Sequence, residues 1–220
     1  MENTLTKPKL INLKNKTKEN DDGTTTIFVE SKTWGRKEVL IDTEDLLRLD
    51  KEIPQKTARG KWSVVVSKDS RSQDIFYAKI HILHPEGGLD KQGRKKTTKL
   101  LLHRTILNPS KEKIIDHIDH NGLNNRRENL RICTVTQNAA NQRKRKGSSN
   151  FKGVYWNKRD QVWRAGIGYK GKDLHLGHFK DELEAAKAYD KAAKDLWGEF
   201  ANLNFENDYK PQKTITNLKK

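Results

Sequence analysis

The sequence predicts an α+β protein assembled from several small units rather than one large domain. Three observations carry this. Hydrophobic residues make up 33% of the 220 and charged residues 34%, which leaves material for only modest cores. Short runs of β-branched and aromatic residues recur through the first half. The last third holds three strand-like runs followed by one long amphipathic helix.

Taken in order, residues 1–22 are rich in lysine and asparagine with little periodicity, and are expected to form a flexible basic tail. A β-rich segment follows over 24–107, with strand-like runs at Thr26–Val29, Trp62–Val66, Phe76–Ile80 and Thr98–Leu102. Between them, Asp42 and the acidic Glu44 and Asp45 open a short helix reaching Leu49. The stretch from His84 to Lys96 reads as a basic hairpin tip. A second segment covers 103–142, and within it Thr134 and Gln137 are spaced as a capping box, so a helix should start there. Residues 143–149 form a basic linker. From 150 to 205 comes a three-stranded antiparallel sheet packed on one helix, that helix running from Glu182 to Trp197 between Asp181 and Gly198. Leu183, Ala186, Tyr189, Ala193 and Leu196 recur on it at helical spacing, and Tyr189, Phe200 and Phe205 are expected in the core. Residues 206–220 form a basic C-terminal tail.

Lys and Arg outnumber Asp and Glu 45 to 29, a formal net charge of +16. Such an excess points to a polyanionic partner, because neutralised phosphates release counterions. The one cysteine, Cys133, excludes an intramolecular disulfide and a cysteine-based zinc site. No N-terminal apolar region and no run approaching about 18 apolar residues occurs, so neither membrane association nor ordinary export is expected. A cytoplasmic protein without a small-molecule cofactor fits.

The most informative stretch is Ile114–Arg131, with Asp116-His117 near its start, Asn124-Asn125-Arg126 within it and Asn129-Leu130 near its end, followed by Thr134 to Asn138. Cutting a phosphodiester needs a base of near-neutral pKa and a hard cation to stabilise charge on phosphoryl and leaving oxygens. Histidine supplies the first, and carboxylate or carboxamide oxygens hold the second. An adjacent Asp-His pair on a regular strand points to opposite faces, so both can serve one site only if the strand is locally irregular or a phosphate intervenes.

This stretch resembles the HNH endonucleases, most closely the phage and organellar homing branch in which asparagine replaces the final histidine. The resemblance covers roughly His103 to Gln142 and implies a ββα-metal fold around one divalent ion. It implies that Asp116 ligates Mg²⁺ or another divalent cation such as Mn²⁺, and that His117 is the general base. Asn129, twelve residues after His117, would hold the loop through backbone hydrogen bonds, and Asn138, twenty-one after it, would be the second metal ligand. His117 alone would read as an ordinary histidine; the preceding aspartate and the two asparagines change that. His120 stands where the family often has glycine and reads as a loop residue. His103 reads as structural or DNA-facing, and Cys133 as core packing.

The segment from Ser149 to Phe205 resembles the APETALA-two/ethylene-response-factor DNA-binding domain through Lys152–Trp156, Trp163–Ile167, Leu176–Phe179, Glu184–Ala193 and Ala201–Phe205. In that family the sheet lies in the major groove of double-stranded DNA. The implied DNA-facing set is Lys152, Tyr155, Asn157, Lys158, Arg164, Lys172 and His175. Gly166 and Gly168 stand where plant members carry larger polar residues, so sequence preference does not transfer. The leading expectation is a monomeric, site-specific homing-type endonuclease of phage or mobile-intron type; the alternative is a transcription-factor-like DNA binder with an inactive nuclease unit.

Overall fold

The computed structural model describes residues 13–53, 62–68, 74–144 and 146–205. The two terminal tails beyond 13 and 205, and Arg145 of the basic linker, lie outside the described residues. The chain divides into two compact units, Met1–Cys133 and Thr134–Lys220.

The first unit begins with three antiparallel strands, β1 (Lys16–Glu19), β2 (Thr24–Ser31) and β3 (Gly35–Asp42). Every other residue of β2 from Thr25 to Val29 is buried, and the register sets Ile27 against Val39 and Thr25 against Ile41 across the ladder. Ile27, Val29, Val39 and Ile41 of these two strands belong to the core. Strand β1 corrects the expectation of a flexible segment up to Asp22. All four of its residues are exposed, so no apolar alternation betrayed it; it is an edge strand held by its backbone ladder to β2.

Helix α1 (Thr43–Glu52) follows, burying Leu46 and Leu49. Its N-cap is Asp42 as expected, yet that carboxylate does not cap the helix; it accepts from the Arg127 N–H at 2.7 Å. A second sheet is formed by β4 (Ser63–Lys68), β5 (Asp74–Leu83) and β6 (Thr97–Leu101), all antiparallel. The strand expected through Leu102 stops one residue earlier, and α2 (Leu102–Leu107) buries Leu102 and Ile106 at helical spacing. His103 therefore sits in a first helical turn rather than at a strand end. The unit closes with β7 (Ile114–His117), β8 (Asn124–Asn125) and β9 (Leu130–Cys133). β8 joins the first sheet parallel to β3, while β7 and β9 pair with each other. Ile27, Val39, Ile41, Leu46, Ala78, Leu102 and Leu130 belong to one hydrophobic core that unites these sheets and helices.

The second unit starts with α3 (Val135–Asn141). An antiparallel sheet of β10 (Val154–Asn157), β11 (Val162–Tyr169) and β12 (Lys172–Phe179) follows, then α4 (Glu182–Trp197). The Asp181 carboxylate caps α4 by accepting from the Leu183 N–H at 2.9 Å. Ala185, Ala186, Tyr189 and Ala193 are buried, packing with Val154, Ala165 and Ile167 of the sheet in two small clusters. Alanines there let helix and sheet approach closely. Gly153 is part of the same fit: its φ is +73°, and a Cβ would stand within 2.3 Å of the Tyr189 ring. One core expectation needs correction: Phe205 is 36% exposed, resting one face on Phe151.

Candidate active site and nucleic-acid interface

The short β7–β9 ladder places Asp116 opposite Arg131 and His117 opposite Leu130. Asp116 and His117 are both buried, at 5% and 6% exposure, although neighbours on a regular strand diverge. The strand ends at His117: the chain turns back through the His120 N–H to His117 carbonyl bond, with His120 left-handed at φ +62°. Asp116 Oδ2 accepts two hydrogen bonds from Arg131, from Nε at 2.8 Å and from a terminal nitrogen at 2.7 Å. Sequence reasoning missed this arginine, because only the register reveals it.

The His117 ring sits against two others, His103 at 5.1 Å and Tyr77 at 5.7 Å between centroids, and those two lie 5.6 Å apart. Burial lowers the His117 pKa below its ordinary value; a hydrogen bond donated by the ring to Asn125 and the charges of Asp119 and Asp116 offset part of that. His117 is thus neutral at pH 7 and able to accept a proton. His103 is held more firmly neutral: burial, then the neighbouring His117 and Arg104, lower its pKa to about 3. Its Nδ1 is buried with no hydrogen-bond partner among the described residues. Burial and the charge of Asp116 raise the Tyr77 pKa.

The loop after His117 is held by asparagine and aspartate. Asn129 Oδ1 accepts from the Asp119 N–H at 3.0 Å, and its Nδ2 donates to Asp119 Oδ1 at 2.9 Å and to the Asn124 carbonyl at 2.8 Å. Asp119 also accepts from the Asn121 N–H and from Asn124 Nδ2. Burial opposes the Asp119 charge, but these bonds win and lower its pKa. Asp119 is thus a hub that the motif did not single out, although an aspartate two residues before an asparagine turn is a recognisable Asx signal. Arg127 ties the loop to α1 through Asp45, at 2.6 and 2.7 Å. Gly122 packs against β5 so tightly that a Cβ would lie 2.4 Å from the Phe76 carbonyl oxygen.

Asn138 is half-buried on α3, in the second unit. The helix starts with the complete capping box: Thr134 accepts from the Gln137 N–H, and Gln137 Oε1 accepts from the Thr134 N–H. Among the described residues no group of three or more His, Cys, Asp or Glu is gathered to hold a metal. Cys133 is buried, and burial raises its thiol pKa to about 11.

In the second unit, Ala165 and Ile167 of β11 face α4, so Arg164, Gly166 and Gly168 occupy the opposite face of the sheet. Arg164 pairs with Tyr155 on one side and His178 on the other, and its guanidinium lies over the Tyr155 ring. His175 pairs with Gly166. A register shift between Ala165 and Gly166 brings His175 and His178 together, 4.6 Å between centroids, although two residues separate them in sequence. His178 was missed for that reason. Lys158 and Lys172 are exposed at the two hairpin turns, and Asn157 is occupied with its turn, donating to Asp160 at 2.6 Å and accepting from the Arg159 N–H. Lys152 corrects the expected DNA-facing set. Its ammonium is turned inward, donating to the Ala140 carbonyl at 2.5 Å, because that carbonyl ends α3 and has no helical partner.

Residues 108–140 match the HNH endonuclease family and residues 149–199 match the AP2 domain. An uncharacterized HNH endonuclease of Acanthamoeba polyphaga mimivirus is 39% identical over 90 residues, 41% of this chain and 46% of that protein. The chain thus spans about half the length of that relative. Protein 3.8 of Escherichia phage T7 is 35% identical over 90 residues, 40% of this chain and 74% of that protein. An AP2-like ethylene-responsive transcription factor of Arabidopsis thaliana is 38% identical over 78 residues, 34% of this chain and 16% of that protein. No solved structure matches. One chain thus carries an HNH endonuclease domain and, following it, an AP2 domain.

Proposed function

We propose that the chain is a homing-type, site-specific DNA endonuclease that hydrolyses a phosphodiester with the help of a divalent cation. One observation carries the reading: Asp116 and His117 end β7 together, both buried, with Asn129 locking the loop that follows. His117 takes a proton from water through a ring nitrogen; the hydroxide attacks phosphorus, and the 3′-oxygen departs and is protonated from solvent. The products are 5′-phosphate and 3′-hydroxyl ends. Bound Mg²⁺ or Mn²⁺ would stabilise the charge that develops on the phosphoryl and leaving oxygens. Asp116 and Asn138 are the proposed ligands. Their oxygens suit Mg²⁺, which keeps several waters and needs few protein ligands. The Arg131 guanidinium fixes the orientation of the Asp116 carboxylate through Oδ2.

The AP2 domain would seat the chain, as a monomer, on double-stranded DNA through Tyr155, Arg164, His175 and His178, flanked by Lys158 and Lys172. The net charge of +16 supports the phosphate-binding part of this reading. Relatives in a phage and a giant virus support action on viral or host DNA inside the cell. A second reading, a DNA-binding protein with an inactive nuclease unit, draws on the same Arg131 pair, since a guanidinium on Asp116 competes with a cation. Plasmid nicking with Mg²⁺ and with EDTA, for the parent, Asp116→Ala and His117→Ala, separates them. The nuclease reading expects nicking by the parent alone, abolished by EDTA, with DNA binding kept by both variants. A parent that binds DNA and does not nick under Mg²⁺ or Mn²⁺ selects the second reading.

A further inference from the structure

Helix α3 has seven residues, too few to be stable on its own. Its N-terminal end is satisfied by its own capping box, but its C-terminal carbonyls are satisfied from elsewhere in the second unit. Ala140 O accepts from Lys152 Nζ at 2.5 Å and from the Asn202 N–H at 3.3 Å. Asn202 Nδ2 donates to Asn141 O at 3.1 Å and to Gln142 O at 3.3 Å. A lysine ammonium at this end also meets the negative pole of the helix dipole.

Lys152 is itself braced. Its N–H donates to Asn204 Oδ1 at 2.5 Å, its carbonyl accepts from Asn204 Nδ2 at 3.1 Å, and the Asp190 carboxylate of α4 accepts from both the N–H and the Nδ2 of Asn204. A continuous chain of bonds therefore runs from α4 through Asp190, Asn204 and Lys152 to the end of α3. The HNH match ends at residue 140, the residue whose carbonyl these groups grip. Lys152 lies inside the AP2 match and Asn202 just beyond it.

We propose that Lys152 and Asn202 are positioning residues that hold α3, the helix carrying Asn138, so that the AP2 fold is required for cutting as well as for seating on DNA. This rests on the reading of Asn138 as a metal ligand. It gives Lys152 a different task from that of the outer-face residues: it acts on the helix and not on phosphate.

The test uses the full chain with Lys152→Met, Asn202→Ala, the double variant and Lys152→Arg as the conservative change. Amide hydrogen exchange over residues 135–142 is read beside exchange in the β10–β12 sheet, DNA affinity, and nicking at saturating DNA across a Mg²⁺ titration. A charge-assisted bond to a helix carbonyl predicts α3 exchange faster by about tenfold in Lys152→Met, with the sheet unchanged. DNA affinity should stay within about threefold, since no phosphate contact is lost. The nicking rate should fall about tenfold with a raised half-saturating Mg²⁺ concentration, and Lys152→Arg should restore part of it. Unchanged α3 exchange in the double variant overturns the clamp. Faster exchange with nicking and Mg²⁺ response untouched overturns its link to cutting. A parent that does not nick refutes the nuclease reading and the link to cutting with it, while the exchange data still decide the clamp.

Discussion

Asn129 and Asp119 are hydrogen-bonded twice in opposite senses, the asparagine accepting from the aspartate N–H at 3.0 Å and donating to its carboxylate at 2.9 Å. A third bond from Asn129 reaches the Asn124 carbonyl. One buried amide thus sets the path of the loop that leaves His117. Asn129→Ala would orphan a backbone N–H and a buried carbonyl. A loss of about 2–4 kcal/mol in urea unfolding is expected, with nicking reduced at least as strongly as in His117→Ala. A variant as stable as the parent would show that the loop does not depend on this amide.

Gly122 has no room for a side chain: a Cβ would meet the Phe76 carbonyl at 2.4 Å and the Tyr77 ring at 2.7 Å. Since Tyr77 flanks His117, Gly122→Ala should disturb the His117 ring as well as the fold. The expected cost is about 1–3 kcal/mol by denaturant titration, together with lower nicking. Stability within experimental error of the parent would place the loop farther from β5 than it is.

In the second unit Gly153 plays the matching part, at φ +73° and against Tyr189. Gly153→Ala combines backbone strain with overlap on a buried ring. A loss of about 2–4 kcal/mol in the stability of the AP2 unit is expected. Combined with Tyr189→Ala, the total loss should be smaller than the sum of the two single losses, because the overlapping ring is removed; a purely additive loss would assign the cost to strain alone.

The His103 pKa, near 3 when folded against 6.5 for the free side chain, gives the first unit an acid-sensitive stability. Between those values the unfolded chain binds a proton that the folded chain refuses, so stability falls as pH drops below 6.5. The slope is up to about 1.4 kcal/mol per pH unit, and the depressed His117 adds in the same direction. Melting temperatures at pH 7.5, 6 and 5 should decline for the parent and decline less for His103→Phe, which keeps a ring and loses the titration. Parallel declines would show that another group titrates.

On the sheet face, Arg164→Ala should weaken DNA binding by about 1–3 kcal/mol, and Lys158→Ala should lower the salt dependence by roughly one counterion. His178→Ala should weaken binding to the same degree as His175→Ala, since the two rings share a face. An effect of His175 alone in binding titrations would put His178 outside the interface.

Much of the second unit is legible in the sequence. Alternating runs located β10 to β12, Asp181 and Gly198 bracketed α4, and Thr134 with Gln137 announced α3, because caps and periodic burial are local in the chain. Strand β1 was not legible, having no apolar face, and β8 is only Asn124–Asn125, a pair that reads as loop until β3 lies beside it. The candidate base and ligands were named through the resemblance of the stretch from Asp116 to Asn138 to the HNH endonucleases. Asp119 and the three-ring contact of Tyr77, His103 and His117 were not, because their members lie far apart in sequence or inside a loop whose shape is tertiary.

Residue order alone settled the basic charge, the succession of short elements, the helix caps and the side-chain types available for phosphodiester chemistry. Folding decided which partner each of those groups meets: Arg131 on Asp116, two rings on His117, His178 beside His175, and Lys152 turned from solvent to the end of α3. The division follows from physics. Caps and amphipathic periods depend on neighbours within a few residues, whereas register, bulges and buried pairings depend on which distant segments must share one small core.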